Sequence, residues 1–572
     1  MGFIVADSFG RAKDAAGFIA LKNADAVAKQ RAVIAASEKA RKELSGSGVI
    51  FSLWDEEKDF EKDPNYQVRF LAERIKQGGK TALFCKQAVN EFAHRSFIVS
   101  SISGVKDMKF ILRDLISADG RKIPAANLSI WKIGYLEPSK ALWKSRYDSW
   151  SKRPIPELVE EVDGALTLDE LQSIQFRLVI DSRNVLPGKY SGKIAVNCGG
   201  KNYDLPVNCE VMDFALPDAA NNPFRVYLFS SLPYGGKSGE AWAKLYKERY
   251  VNEISFEHPR MLLDGKEMNI PNWRTKDYIK LMTAWKQPEN SKFTIDGKCY
   301  DFDDRIAICG RWGLIPQLTN RTGAVYVDLM DQLDAHIRAL GVKEWDYKLG
   351  DEDHSPWYLP LARAIRKQVP ALNVSFIPAG YEYWDLKSLI GGFTNISYSR
   401  AAMTINEQGE KDLKTLRANG IKISRYTNRT SWAERSGRFS GRLDIWDVLI
   451  REGLDGFCVW TASPYVTLGG ALGYDSAYKV PAHNFPPENQ RTCQLIYIRK
   501  QGDFYKPVSC IRLEDMRDGI TDALYYREAL KRTEKNPEMR KKLLAISELR
   551  CKTRKDYDNA RMKIAEIILA AK

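Results

Sequence analysis

No apolar run in the 572-residue chain comes near the roughly 18 residues that a membrane-spanning helix needs, so no membrane span is expected. Histidine is scarce. Only five occur, at 94, 258, 336, 354 and 483, and no two have ligand spacing, which argues against zinc and leaves no metal expected. The nine cysteines are odd in number and include no Cys-x-x-Cys pair. Cys85, Cys309 and Cys458 lie in apolar runs, where a small buried hydrophobe is the default. Cys198 and Cys209 flank a hairpin-like segment and leave one disulfide open. There is no Gly-x-Gly-x-x-Gly and no phosphate-binding loop, so no nucleotide is expected, and no other cofactor is. Nor is there a Lys/Arg block, although the net charge is +14. A dedicated nucleic-acid binder is excluded on that ground. The charge suits an anionic partner, such as an acidic lipid or an acidic polysaccharide. Met1–Asp7 lacks a basic region followed by an apolar core, so it is not a secretory leader as written, and Ala6 excludes a myristoylation signal. A periplasmic or secreted location is expected if a leader was removed.

What is present points to several domains, since the chain is too long for one core. Residues 1–48 include an Ala/Lys/Glu-rich helical stretch that ends at Ser45-Gly46-Ser47-Gly48. From 49 to 218, strand-like runs such as Ser96–Ser100, Leu128–Ile133, Ser173–Ile180 and Tyr190–Val196 alternate around turns such as Asn184–Gly188. They predict a β-sandwich with no chemistry of its own. From 219 to 506, apolar runs at 224–229, 305–309, 345–349, 374–377, 421–424, 456–460 and 494–498 alternate with helical stretches, for example 327–340, 357–368 and 413–419. That alternation predicts a (β/α)8 TIM-type barrel or a doubly wound sheet, and the missing nucleotide motifs favour the barrel. Residues 507–572 read as a charged helical extension.

A barrel of this kind works at the C-terminal ends of its strands. The residues that follow the apolar runs are Arg311-Trp312, Asp351-Glu352-Asp353-His354, Tyr381-Glu382-Tyr383-Trp384-Asp385, Arg425-Tyr426-Thr427-Asn428, and Trp460 through Pro464-Tyr465. Each has an ordinary use: Trp460 in a core, Arg311 in an ion pair, the acids in a solvated turn. Together they combine flat aromatic rings with carboxylates, which is what a saccharide site requires. Cleaving a glycosidic bond takes one carboxyl to protonate the leaving oxygen and a second group to stabilise the developing positive charge.

The segment Pro507-Val508-Ser509-Cys510-Ile511-Arg512-Leu513-Glu514-Asp515-Met516-Arg517-Asp518-Gly519-Ile520-Thr521-Asp522 resembles the C-terminal signature of glycoside hydrolase family 123 and its relatives, Pro-x-Ser-Ser-x-Arg-x-Glu-x-x-Arg-Asp-Gly-x-Glu-Asp. Asn90-Glu91 with Ser96-Phe97, Pro187-Gly188-Lys189-Tyr190-Ser191-Gly192, Arg442–Trp446 and Gly453–Trp460 resemble further stretches of that family, in the same order. The resemblance implies a sandwich, a barrel and an adjacent Asp-Glu pair after the fourth barrel strand, which maps onto Asp351 and Glu352. It implies hydrolysis of β-linked N-acetylgalactosamine with retention, the substrate's own acetamido oxygen acting as nucleophile. On that reading Asp351 orients the acetamido group and Glu352 is general acid, then base. Arg311, Trp312, Tyr381, Tyr383, Trp384, Tyr426, Asn428, Trp460 and Tyr465 form the expected substrate-binding set, and the partner is an oligosaccharide or polysaccharide.

Two departures mark a divergent member: Asp353 stands where the family has Pro, and Thr521-Asp522 where it has Glu-Asp. They leave open a sulfated or acidic galactan bound through Arg311, Arg425 or Arg429, with Glu382, Asp385 or Asp444 as a second carboxylate. A glycan-binding protein without catalysis is the other alternative. The oligomeric state is not legible.

Overall fold

The structure, a computed structural model, describes residues 49–77, 81–136, 154–218, 221–230, 236–257, 292–296, 331, 334, 335, 338, 344–353, 358–378, 386–399, 407–427, 440–463 and 495–571. The expected helical segment 1–48 and the strand-like run 305–309 lie outside them. The chain divides into two compact units. The first holds the described residues before Leu136 together with Pro154–Pro156 and Glu160–Asp213, and the second holds Glu157–Val159 and the residues from Phe214 onward.

Up to Ala215 the chain runs through β1 (Val49–Leu53), α1 (Pro64–Gln77), β2 (Leu83–Val89), β3 (Phe92–Ser101), β4 (Val105–Ile111), β5 (Leu115–Ser117), β6 (Lys122–Ile123), β7 (Leu128–Leu136), β8 (Ile155–Glu161), β9 (Leu166–Leu168), β10 (Ser173–Asp181), β11 (Gly188–Cys198) and β12 (Lys201–Ala215), all in the first unit but for Leu136, Glu157–Val159 and the last two residues of β12. β3 pairs with β1 and β10, and β10 with β7, all antiparallel. A second sheet runs β2-β12-β11-β4-β9. The period-2 pattern of β10 turns Phe176, Leu178 and Ile180 inward. There they join Phe97 and Val99 with Leu83, Ile194, Val196, Leu205 and Val207 of the second sheet in one apolar core, as in a β-sandwich. Residues of the opposite parity converge on Glu56. Arg177 donates to both of its oxygens at 2.7 Å, while Ser96 and Gln175 donate at 2.6 and 2.9 Å. Trp54, Phe60 and Phe70 pack with the outward Ile98 of β3.

The Pro187–Gly192 turn has a clear physical basis. The Tyr190 hydroxyl donates to the Leu186 carbonyl at 2.6 Å, and a Cβ at Gly192 would meet Leu115 Cδ2 at 2.7 Å. Tyr190 therefore pins the turn, and Gly192 lets β5 approach β11. The open disulfide is absent, for both cysteines are free and buried. Register is the reason: Cys209 lies opposite Tyr190 and Cys198 opposite Lys201. At about 3.3 Å per residue this separates the two by roughly 25 Å, far beyond disulfide reach.

The second unit runs through β13 (Arg225–Ser230), α2 (Gly236–Lys247), β14 (Glu253–Glu257), β15 (Lys292–Asp296), β16 (Glu344–Asp353), α3 (Tyr358–Gln368), β17 (Asn373–Pro378), β18 (Asn395–Ser399), α4 (Glu407–Ala418), β19 (Lys422–Thr427), α5 (Ser440–Ile445) and β20 (Gly456–Ser463). These eight strands close into a parallel barrel in sequence order, β13 pairing with β20. α-Helices with given bounds are described after β13, β16, β18 and β19, a short 3-10 helix (Leu386–Leu389) after β17 and single helical residues (331, 334, 335 and 338) after β15, so the described residues show a closed parallel barrel without a helix after every strand. Strands β14, β15 and β18 alternate polar and apolar residues, and a search for continuous apolar runs passes over them.

One expected barrel strand lies elsewhere. The run 494–498 does not enter the barrel. The strand there is β21 (Tyr497–Gln501), which turns at Gly502 (φ +62°) and pairs antiparallel with β22 (Phe504–Cys510). Cys510 and Ser509 continue that pairing to Leu158 and Val159. An apolar run of this length does not reveal which sheet will bury it.

Three helices follow, α6 (Ile511–Arg532), α7 (Pro537–Ser547) and α8 (Arg554–Ala570). The signature segment begins in β22 and fills the first half of α6, and its charges are used internally. Arg512 donates to Glu157 at 2.6 Å, and Glu514 accepts from Arg249 at 2.7 Å and from Ser509. Arg517 pairs with Glu514 at 2.7 Å, and Asp518 with Arg554. Asp522 holds Arg442 of α5 at 2.7 and 3.0 Å and also Arg561 of α8. Thr521, the departure from the family pattern, donates to the Arg517 carbonyl at 2.9 Å. Burial forces this pairing, because a charge taken from water must be matched.

Gly519 sets the distance between α6 and α5. A Cβ there would meet Ile445 Cβ at 2.8 Å and Arg442 Cα at 3.1 Å. Ala favours a helix by about 1 kcal/mol over Gly, but overpacking against backbone costs about 1–3 kcal/mol. Gly519→Ala is therefore expected to destabilise this unit, read as a lower urea midpoint at unchanged m; an unchanged or higher midpoint contradicts the packing argument.

Candidate active site

The barrel interior is built in layers. Tyr227 of β13, Ile377 of β17, Tyr426 of β19 and Cys458 of β20 form one buried cluster. Several of these strands are not neighbours in the sheet, so the contacts cross the interior. The layer below, two residues earlier on each strand, consists of Arg225, Ser375, Ser424 and Gly456, all on the N-terminal side. Arg225 forms an ion pair with Asp346 of β16. Asn395 of β18 donates to both Asp346 oxygens at 2.8 and 2.9 Å.

β16 is the fourth strand of the barrel and carries Asp351 and Glu352 at its C-terminal end. The strand continues through Gly350 to Asp353 with two irregularities. Lys348 pairs with Ser375, Gly350 with Phe376, Asp351 with Ile377 and Asp353 with Pro378. Leu349 and Glu352 are therefore extra residues on β16, one in each of two β-bulges. The first bulge changes the parity of the strand. Counting by twos from the interior-facing Asp346 would place Gly350 beside Ile377, but the bulge places Asp351 there. The second leaves Glu352 out of the ladder. A regular strand turns successive residues to opposite faces, and two bulges within five residues remove that restriction.

Of the expected substrate-binding residues, Tyr426 belongs to the buried layer level with Cys458. Trp460 occupies a strand position two residues beyond Cys458 on β20. Arg311, Trp312, Tyr381, Tyr383, Trp384, Asn428 and Tyr465 lie outside the described residues, as do His354, Glu382, Asp385 and Arg429.

Arg425 is corrected. It has the opposite parity to Tyr426, is 5% exposed, forms an ion pair with Glu452 and sits over the Tyr398 ring. Burial pushes Tyr398 up to about 12, so that phenol stays neutral beside the pair. A guanidinium engaged in this way is not offered to a substrate. Asp444, a candidate second carboxylate, is buried on α5.

The sequence reading missed Arg225, Asp346 and Asn395. A charged residue inside a strand with both faces covered was the available signal, and Asp346 in Glu344–Leu349 carried it. Among the described residues no group of His, Cys, Asp and Glu is arranged to hold a metal ion, and no helix is long and apolar enough to cross a membrane.

No protein-family model matches the chain. No curated protein matches it either. Solved structures do. A family 123 glycoside hydrolase from Clostridium perfringens, studied for glycolipid glycan hydrolysis, aligns with a TM-score of 0.61 at 14% identity, over 91% of this chain and 97% of that one. A family 39 glycoside hydrolase from Bacteroides cellulosilyticus WH2 aligns at 11% identity over 77% and 81% with a TM-score of 0.36, too low to carry an argument. The first likeness is one of fold: this chain has a glycoside-hydrolase-like fold.

Proposed function

We propose that the chain is a glycoside hydrolase that cleaves a β-linked N-acetylgalactosamine with retention, Asp351 orienting the acetamido group and Glu352 acting as general acid and then base. The observation that carries this reading is the doubly bulged end of β16, the fourth strand of a closed parallel barrel, at Asp351 and Glu352. Substrate-assisted hydrolysis needs no protein nucleophile, so both carboxyls can come from one strand if its backbone lets neighbours serve one site. A neighbouring anion raises the pKa of a carboxyl, and Asp351 would supply that effect to Glu352. The aromatic set from Trp312 to Tyr465 would line the sugar faces. A (β/α)8 barrel over 219–506, a sandwich over 49–218 and a helical extension over 507–572 complete the proposal.

The net charge of +14 favours the acidic-galactan alternative, but the engagement of Arg425 removes one of its three guanidinium candidates. Asp351→Asn separates the two readings. If Asp351 holds the acetamido group, kcat on an aryl β-N-acetylgalactosaminide falls roughly 10²–10³-fold, the scale of losing one positioned electrostatic contact. A loss of equal size on a plain galactoside would remove the acetamido role.

A further inference from the structure

We infer that the buried Arg225–Asp346–Asn395 cluster is a register lock for β16, and that it decides which residues of that strand reach the proposed site. The inference rests on the reading of Asp351 and Glu352 as the working pair. The cluster joins β13, β16 and β18, no two of which are neighbours in the barrel. Arg225, Asp346 and Asn395 are 8%, 3% and 4% exposed. Room for Arg225 is made by Gly456, where a Cβ would meet Arg225 Cβ at 2.8 Å and the Ser424 hydroxyl at 2.5 Å.

The lock is needed because of the two bulges. Below Leu349, β16 is paired on both sides, Glu344–Lys348 lying against Lys292–Asp296 of β15. Above it, the described pairing is with β17 alone. A bulged strand can shift its extra residue by one position. Such a shift exchanges the residues on the two faces and would present Gly350 where Asp351 now stands. An apolar residue at 346 fits the interior equally well in neighbouring registers. A carboxylate that must meet one guanidinium and one amide fits only this one, and fixing register is the best-attested use of a buried polar group. Asp346 thus acts through Asp351 and Glu352 as a positioning residue.

The test is the double variant Arg225→Met with Asp346→Leu. Replacing both partners avoids stranding one buried charge, which could unfold the protein. Thermal unfolding is expected to stay near the wild-type midpoint, while kcat on the aryl glycoside falls about 100-fold, the cost of a small misplacement, and KM changes by less than about 3-fold. Backbone amide exchange of 349–353 should accelerate at least about 10-fold, with β19 unchanged. Wild-type kcat and wild-type exchange in a stable double variant would overturn the inference. If the wild-type protein hydrolyses no glycoside, the function proposed above fails, and the exchange measurement still decides the lock: unaltered protection of 349–353 overturns it, and selective loss supports it.

Discussion

Glu352→Gln is expected to abolish turnover while leaving glycan binding intact. The amide keeps the size and polarity of the side chain but can neither donate the proton that the leaving oxygen needs nor remove one from water in the second step. A positioned acid or base contributes about 10²–10⁴-fold. Because one carboxyl would serve both steps, the loss should lie towards the upper end on a substrate with a poor leaving group. A nitrophenyl glycoside needs less protonation as the bond breaks, so its first step should suffer less than its second. Initial rates on a natural-type oligosaccharide and on the aryl glycoside, with calorimetric binding of the same sugars, check this. Turnover within about 10-fold of wild type would remove Glu352 from the mechanism. Loss of binding together with activity would point to a folding defect instead.

Asp522→Asn is expected to cost about 3–5 kcal/mol, the scale of breaking a buried ion pair from one side. Asp522 is wholly buried and accepts from both Arg442 and Arg561, and Arg442 is 1% exposed. Arg442 retains Asp558 at 2.8 Å, but that carboxylate is about half exposed and does not replace the buried one. Against typical stabilities of about 5–15 kcal/mol such a loss is large. Two units need not unfold together, so calorimetry should show the transition of the second unit moving down while that of the first stays. A shift equivalent to less than about 1 kcal/mol would mean that the helix network is dispensable.

These two variants separate two kinds of residue that look alike in the sequence. The signature segment is what made the resemblance visible, yet Arg512 is occupied by Glu157, Glu514 by Arg249, Asp518 by Arg554, Asp522 by Arg442 and Arg561, and Arg517 by Glu514 within the segment. Apart from Arg517, their partners lie far away along the chain, and no local pattern announces such pairs. The strands of the first unit were legible because β10 and β11 alternate with period 2, and the Pro187–Gly192 turn because its residues set the backbone directly. The bulges of β16 were not legible. Register belongs to two strands at once, and Ser375–Pro378 of β17 is needed to see that Leu349 and Glu352 are extra. The misassigned run at 494–498 has the same cause, since burial of Leu495–Ile498 is evident in the sequence but the partner strand β22 is not.

The central claim is that Asp351 and Glu352 act on a sugar that supplies its own nucleophile. The measurement that tests it most directly compares initial rates of the wild-type protein on an aryl β-N-acetylgalactosaminide and on the matching aryl β-galactoside. The account predicts hydrolysis of the first and a rate on the second lower by at least about 10³-fold, since without the acetamido oxygen no covalent path remains. Equal rates on the two sugars would contradict it.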